Sequence, residues 1–219
     1  MTSLRPSLYL LSPLIEDPSS FRAPLAEAVA TGFIEAVLLR LAPREERALI
    51  NAVKELAPVA QDRQVAVIVA DPGDGCDLAQ VVMRSGADGG HAEDPARIEA
   101  LCQRLKDGRN IGAGGLKSKH DAMVAGELGV DYVLFGEPRP DGFLPPFDLI
   151  EDRAAWWAEI FQTPCVVYAP TLEALPAVAR TGSEFVALGD AVWTHPDGPG
   201  AALRETESIL AALPPRAGA

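Results

Sequence analysis

The chain has 219 residues, 48% of them hydrophobic, 23% charged and only 6% aromatic, a balance that excludes disorder for most of its length. Nineteen Lys and Arg against 31 Asp and Glu leave a formal charge of -12, the wrong overall field for a nucleic-acid backbone or an anionic bilayer. Any anionic substrate therefore has to be held locally, by a few cations, backbone amides or a metal.

Cys76, Cys102 and Cys165 are odd in number, widely spaced and free of any CxxC pattern, which fits a reducing compartment better than a disulfide framework. The apolar run near the start is interrupted by Pro13 and lacks a convincing cleavage site, and no stretch approaches the ~20 apolar residues of a membrane span. The expected location is the cytoplasm.

In chain order, strands are predicted at residues 7–11, 36–39, 65–70, 89–91, 110–113, 132–135, 165–168 and 185–188, the fourth being weak. Helices are predicted between and after them at 21–31, 44–57, 77–85, 95–105, 118–128, 149–161, 171–180 and 200–212, from the switch between runs of Val, Ile, Leu and Tyr and helical spacing. Eight such units average about 27 residues, close to the ~30 of a βαβ repeat, and predict a single (β/α)8 barrel over residues 1–219. An open, doubly wound sheet is the alternative, because periodicity cannot see whether a sheet closes.

An internal signature favours the barrel. Gly86-Ala87-Asp88, Gly129-Val130-Asp131 and Gly182-Ser183-Glu184 each put Gly after a helix and a carboxylate just before a strand, as expected of αβ turns on the bottom face. On the sixth helix Trp156 and Trp157 are adjacent, so they cannot share one face, which hints at oligomerisation.

In such a barrel, function sits where strands end. Those positions are Ser12, Arg40, Asp71, His91 with Glu93 and Asp94, Gly114 to His120, Gly136-Glu137, Tyr168 and Gly189-Asp190. Asp71 and Asp94, from neighbouring units, are candidate ligands for Mg²⁺, which takes oxygen ligands and keeps waters for a substrate phosphate. Both also suit a local role, Asp71 in an Asp-Pro-Gly turn and Asp94 as a helix cap.

The segment from Gly114 and Gly115 through Lys117, Ser118, Lys119 and His120 resembles a phosphate loop. Leu116 stands where the glycine before the lysine should be, so nucleotide hydrolysis is rejected. A small anion site remains, built from backbone amides, a helix start and two lysines. His120 is suited there to moving a proton or donating to a phosphate oxygen. Arg40, closing the second strand, suits a phosphate clamp or a salt bridge, whereas His91 is expected to pack at its strand end.

LYLLSP, VLLR, VIVAD, SGADGGHAED, SKHDAMVAGELGVDYVLFGEP and TGSEFVAL together resemble the thiamine phosphate synthase family, which includes the thiazole tautomerases. The resemblance covers nearly the whole chain and implies a (β/α)8 barrel, usually a homodimer. Its synthase members join hydroxymethylpyrimidine diphosphate to thiazole phosphate with Mg²⁺. By this resemblance Arg40 lies near the diphosphate, Asp71 and Asp94 are metal carboxylates, Ser118 binds diphosphate, and His120 moves the proton in tautomerase-like members. Gly136 and Gly189 fall where family phosphate loops begin.

Several positions depart from the family pattern: Ala42, Ala70, the shortened HAED, Glu137 to Asp141 in place of a Thr- and Lys-bearing loop, Ala169-Pro170, and Asp190. Pro170 has no amide hydrogen and Asp190 repels a dianion, where barrels dock phosphate on backbone amides. The sequence thus predicts a synthase-like enzyme acting on a small phosphorylated substrate. Two alternatives stand beside it: metal-independent proton transfer by His120, and a ligand-binding barrel without chemistry.

Overall fold

The computed structural model describes residues 5–105, 108–139 and 142–214. Eight parallel strands close into a barrel in sequence order, β1 (Ser7–Ile15), β2 (Ile34–Leu41), β3 (Ala66–Ala70), β4 (Gly89–Ala92), β5 (Asn110–Ala113), β6 (Tyr132–Phe135), β7 (Cys165–Tyr168) and β8 (Phe185–Leu188), with β1 paired to β8. The helices are α1 (Pro18–Val29), α2 (Glu46–Gln61), α3 (Leu78–Ser85), α4 (Pro95–Arg104), α5 (Lys119–Glu127), α6 (Phe147–Ile160), α7 (Leu175–Arg180), α8 (Asp190–Trp193) and α9 (Pro199–Ala212). The open-sheet alternative is excluded, and the weak fourth strand pairs on both sides. A 3-10 turn at Leu172–Ala174 opens the predicted seventh helix, and the short α8 was not anticipated.

The bottom-face signature has a physical basis. Gly86, Gly129 and Gly182 have φ of 84°, 84° and 89°, where a β-carbon is disfavoured. The carboxylate two residues later accepts a hydrogen bond from the amide of a residue on the preceding odd-numbered strand. Val67 donates to Asp88 at 2.7 Å, Ile111 to Asp131 at 2.7 Å and Cys165 to Glu184 at 2.9 Å. Three of the even strands are thus tied to their neighbours by charge-assisted bonds.

Strand alternation divides the apolar residues into two layers. One, including Leu10, Val37, Leu39, Val67, Phe135 and Trp157, packs strands against helices. The other fills the barrel with Tyr9, Leu11, Leu38, Ile68, Tyr132 and Tyr168. Trp157 is buried in the first layer while Trp156 is half-buried beside it.

The inner layer contains a polar column. Tyr9 and Tyr132 hydroxyls lie 2.7 Å apart, and the Tyr132 hydroxyl lies 3.1 Å from His91 Nδ1. The His91 and Tyr132 rings stack at 5.7 Å between centroids. Gly112 makes room for this: a β-carbon there would lie 2.2 Å from the Tyr132 ring and 2.6 Å from His91 Nδ1.

Candidate active site

A cavity of about 440 Å³ opens at the C-terminal ends of the strands, with Arg40, Asp71, Glu93, Asp94, Arg97 and Glu137 among its lining residues. Deeper in, Leu11, Leu38, Ala70 and His91 form apolar and neutral walls. Charge is therefore concentrated on the loops that follow the strands.

Arg40 is fixed through its backbone. β1 is irregular between Leu11 and Leu14, and this brings the Ser12 hydroxyl 2.8 Å from the Arg40 amide that donates to it. Arg40 lines the cavity, and its positive charge partly offsets the burial that pushes the Glu93 carboxyl up.

Asp71 and Asp94 both line the cavity and both carry out the local roles their turns suggest. Asp71 accepts from the Gly73 amide at 3.0 Å and is clamped by the Arg97 guanidinium, which reaches it from α4. Asp94 caps α4, accepting from the Ala96 and Arg97 amides at 3.0 and 3.2 Å through one oxygen. Among the described residues no group of three or more His, Cys, Asp or Glu is arranged to hold a metal. Two carboxylates nevertheless fit Mg²⁺, which is commonly held by one or two carboxylates and completed by waters and substrate phosphates.

The glycine-rich segment is arranged differently from an open anion loop. The Gly114 amide donates to Ala92 O at 2.9 Å, and the Gly115 amide donates to Glu137. Ser118 and Asp121 form a capping box on α5, with the Asp121 amide 3.1 Å from the Ser118 hydroxyl. Lys119 pairs with Asp152 at 3.0 Å and lies over the Trp156 ring. Lys117 and His120 are exposed and border a groove between α4 and α5, outside the lining of the mouth cavity.

Gly136, at φ 90°, passes against Ile150. Gly189 precedes α8, where the Asp190 amide donates to the Tyr168 hydroxyl oxygen. Pro140 and Asp141, in the loop after β6, lie outside the described residues.

The structure gives surroundings to residues the sequence placed without a task, and adds Arg97, which it passed over. Arg97 had no marker beyond its place in the first turn of α4. Glu137 was visible as a strand-end position and as a departure from the family pattern, without a task. It is buried, and burial pushes its carboxyl up to about 7, against the Gly115 amide that favours the charged form. His91 packs at its strand end as expected, yet its Nε2 is buried with no hydrogen-bond partner among the described residues. Burial also pushes its imidazole down to about 4, so it is neutral at pH 7.

Comparison with known proteins places the chain firmly. Residues 8–192 match the thiamine monophosphate synthase family. The thiamine-phosphate synthase of Rhodospirillum centenum is 38% identical, with 96% of this chain and 99% of the relative aligned. That of Hyphomonas neptunium is 32% identical over 95% and 96% of the two chains. Among solved structures, the thiamine phosphate pyrophosphorylase of Pyrococcus furiosus superposes with a TM-score of 0.70 at 20% identity, covering 93% of this chain and 96% of that one. The 3-hexulose-6-phosphate synthase of Salmonella typhimurium gives 0.72 at 16% identity, over 93% and 98%, a likeness of fold alone.

Proposed function

The chain belongs to the thiamine monophosphate synthase family, and from that premise we propose that it joins hydroxymethylpyrimidine diphosphate to thiazole phosphate, releasing diphosphate. The observation that carries the reading is the 38% identity to a thiamine-phosphate synthase across 96% of the chain. In the reaction the bond between the pyrimidine methylene carbon and the diphosphate oxygen breaks, its electron pair leaving with diphosphate. The thiazole nitrogen then supplies the pair that forms the new carbon–nitrogen bond.

This chemistry needs charge placed on both sides of the breaking bond more than it needs a base. Arg40 is the proposed anchor of the leaving diphosphate. Asp71 and Asp94 would hold Mg²⁺, which when bound supplies neutralising charge to the leaving group. The cavity lining carries more carboxylates than guanidiniums, which suits a cationic carbon developing beside them. That same excess would repel a bare diphosphate, which supports a requirement for a divalent cation.

The remaining segment 114–120 has a supporting role in this account. The Gly115 amide holds Glu137, Gly114 leaves room beside Glu137 and His91, and Ser118 caps α5. His120 is exposed in a groove that adjoins the mouth cavity through Glu93 and Asp94, outside the cavity's own lining, and no step is assigned to it. We further infer a homodimer in the cytoplasm, on family resemblance and cysteine usage. No described helix is long and apolar enough to cross a membrane.

The test is mass-spectrometric detection of thiamine phosphate after incubating the protein with both substrates and Mg²⁺, beside Asp71→Ala. Product from the native protein and its loss in the variant are expected. Absence of product from folded native protein would overturn the synthase reading.

A further inference from the structure

One residue of α4 reaches both carboxylates proposed to hold Mg²⁺. The Arg97 backbone amide donates to Asp94 Oδ1 at 3.2 Å. Its guanidinium donates to Asp71 from two nitrogens, Nε to Oδ2 and Nη2 to Oδ1, and Nη2 also donates to the Cys76 carbonyl at 3.0 Å. The double reach follows from the cap: Asp94 starts α4, so a residue three positions on lies in its first turn. The Asp71 amide donates to His91 O at 2.8 Å, which sets the end of β3 beside the end of β4 and within range of that turn. Side-chain exposures of 28% for Arg97 and 10% for Asp71 put the pair largely out of water, where the guanidinium fork suits a carboxylate best.

The two carboxylates are consequently unequal. Both amides that cap onto Asp94 fall on one of its oxygens. Asp71 shares Oδ1 between the Gly73 amide and Arg97, and its Oδ2 is held by Arg97 as well. A cation approaching Asp71 therefore meets a carboxylate engaged on both oxygens, with a positive charge beside it that repels the ion. Asp74, Glu93 and Asp94 complete the acidic side of the cavity lining, a setting that favours a divalent cation once Asp71 is released. Because the contact to Asp94 is made by the backbone, a side-chain change at position 97 alters Asp71 and leaves the α4 cap in place.

We propose that Arg97 is the positioning residue that sets how tightly this site takes a divalent cation: as the internal counter-ion of Asp71 it competes with the ion and keeps the affinity for a lone cation low. This deepens the synthase reading and rests on it. Arg97 acts through Asp71, and no contact with substrate and no covalent step is assigned to it.

The test is a titration of Mn²⁺, a paramagnetic stand-in for Mg²⁺, into native protein, Arg97→Gln, Arg97→Lys, Asp71→Asn and the double variant Asp71→Asn/Arg97→Gln, with the free ion followed by electron paramagnetic resonance and no substrate present. An arginine that holds Asp71 for about nine-tenths of the time lowers the apparent affinity about tenfold. Arg97→Gln should therefore bind Mn²⁺ about tenfold more tightly than native, although it loses a contact within the fold. Arg97→Lys, which keeps the charge without the fork, should gain about threefold, and it carries the test if Arg97→Gln does not fold. Without the Asp71 carboxylate, Arg97→Gln should lose most of its gain. A residue that merely pins α4 to the end of β3 predicts the opposite sign, so affinity equal to or weaker than native in the folded Arg97 variants would overturn the proposal. So would a gain that persists in full without the Asp71 carboxylate, or absence of Mn²⁺ binding to native protein and both Arg97 variants. Product formation is read separately: a native protein that makes no thiamine phosphate defeats the synthase reading, while the Mn²⁺ titration decides this inference.

Discussion

Replacing Glu137 by Gln should change the way stability depends on pH, and the sign follows from burial. The Glu137 carboxyl is pushed up to about 7 from 4.5, so between those values the folded protein holds a proton that the unfolded chain has lost. Its stabilising contribution is complete below about 4.5 and is lost as pH rises through about 7. His91 works in the opposite direction: burial pushes it from 6.5 to about 4, so its contribution is complete above 6.5 and lost as pH falls through about 4. Each slope is about 1.4 kcal/mol per pH unit. In the range where both operate they oppose each other, and the native protein shows little net slope from this pair. Glu137→Gln removes one of them. Relative to native protein, the variant should gain about 3 kcal/mol on going from pH 4.5 to 7, measured by urea unfolding at matched ionic strength. A difference that stays flat with pH would refute the reasoning, because Glu137 would then titrate alike in both states and the cavity floor would be wet.

Arg40→Ala should raise KM for the diphosphate substrate about 10- to 100-fold, the equivalent of one or two charge-assisted hydrogen bonds, with the melting temperature nearly unchanged; steady-state kinetics and a thermal melt check both. Gly112→Ala places a methyl group within 2.2 Å of the Tyr132 ring, and should destabilise the fold by about 1–3 kcal/mol and break the Tyr132–His91 contact, visible as a shift of the His91 ring resonances. Asp131→Ala leaves the Ile111 amide without its carboxylate and should cost about 1–3 kcal/mol in urea unfolding while leaving kcat within about twofold, since the bottom face is remote from the cavity.

The barrel was legible because its signals are local. Strand runs such as residues 65–70, and the Gly-x-carboxylate turns before β4, β6 and β8, report backbone conformation directly. Helix ends were less so: α8 is four residues long, too short for a periodic pattern. The candidate site was legible as a set of strand ends and not as a set of partnerships. Asp71 and Asp94 could be placed at the mouth, but Arg97 reaches Asp71 across 26 positions, and no spacing rule covers that distance. His91 and Glu137 were named as strand ends, but their convergence was hidden for a related reason. A histidine's burial, its column of tyrosines and the convergence permitted by Gly114 arise from closure of the barrel, which joins residues 9, 91, 114, 132 and 137 only in three dimensions.

The most direct measurement is the rate of thiamine phosphate formation by native protein, Arg40→Ala and His120→Ala under saturating Mg²⁺ and limiting pyrimidine substrate. The account predicts product from the native chain, a fall of about 10-fold or more in Arg40→Ala, and a rate near native in His120→Ala. A rate unchanged in Arg40→Ala but abolished in His120→Ala would contradict it, moving the chemistry from the barrel mouth to the groove between α4 and α5.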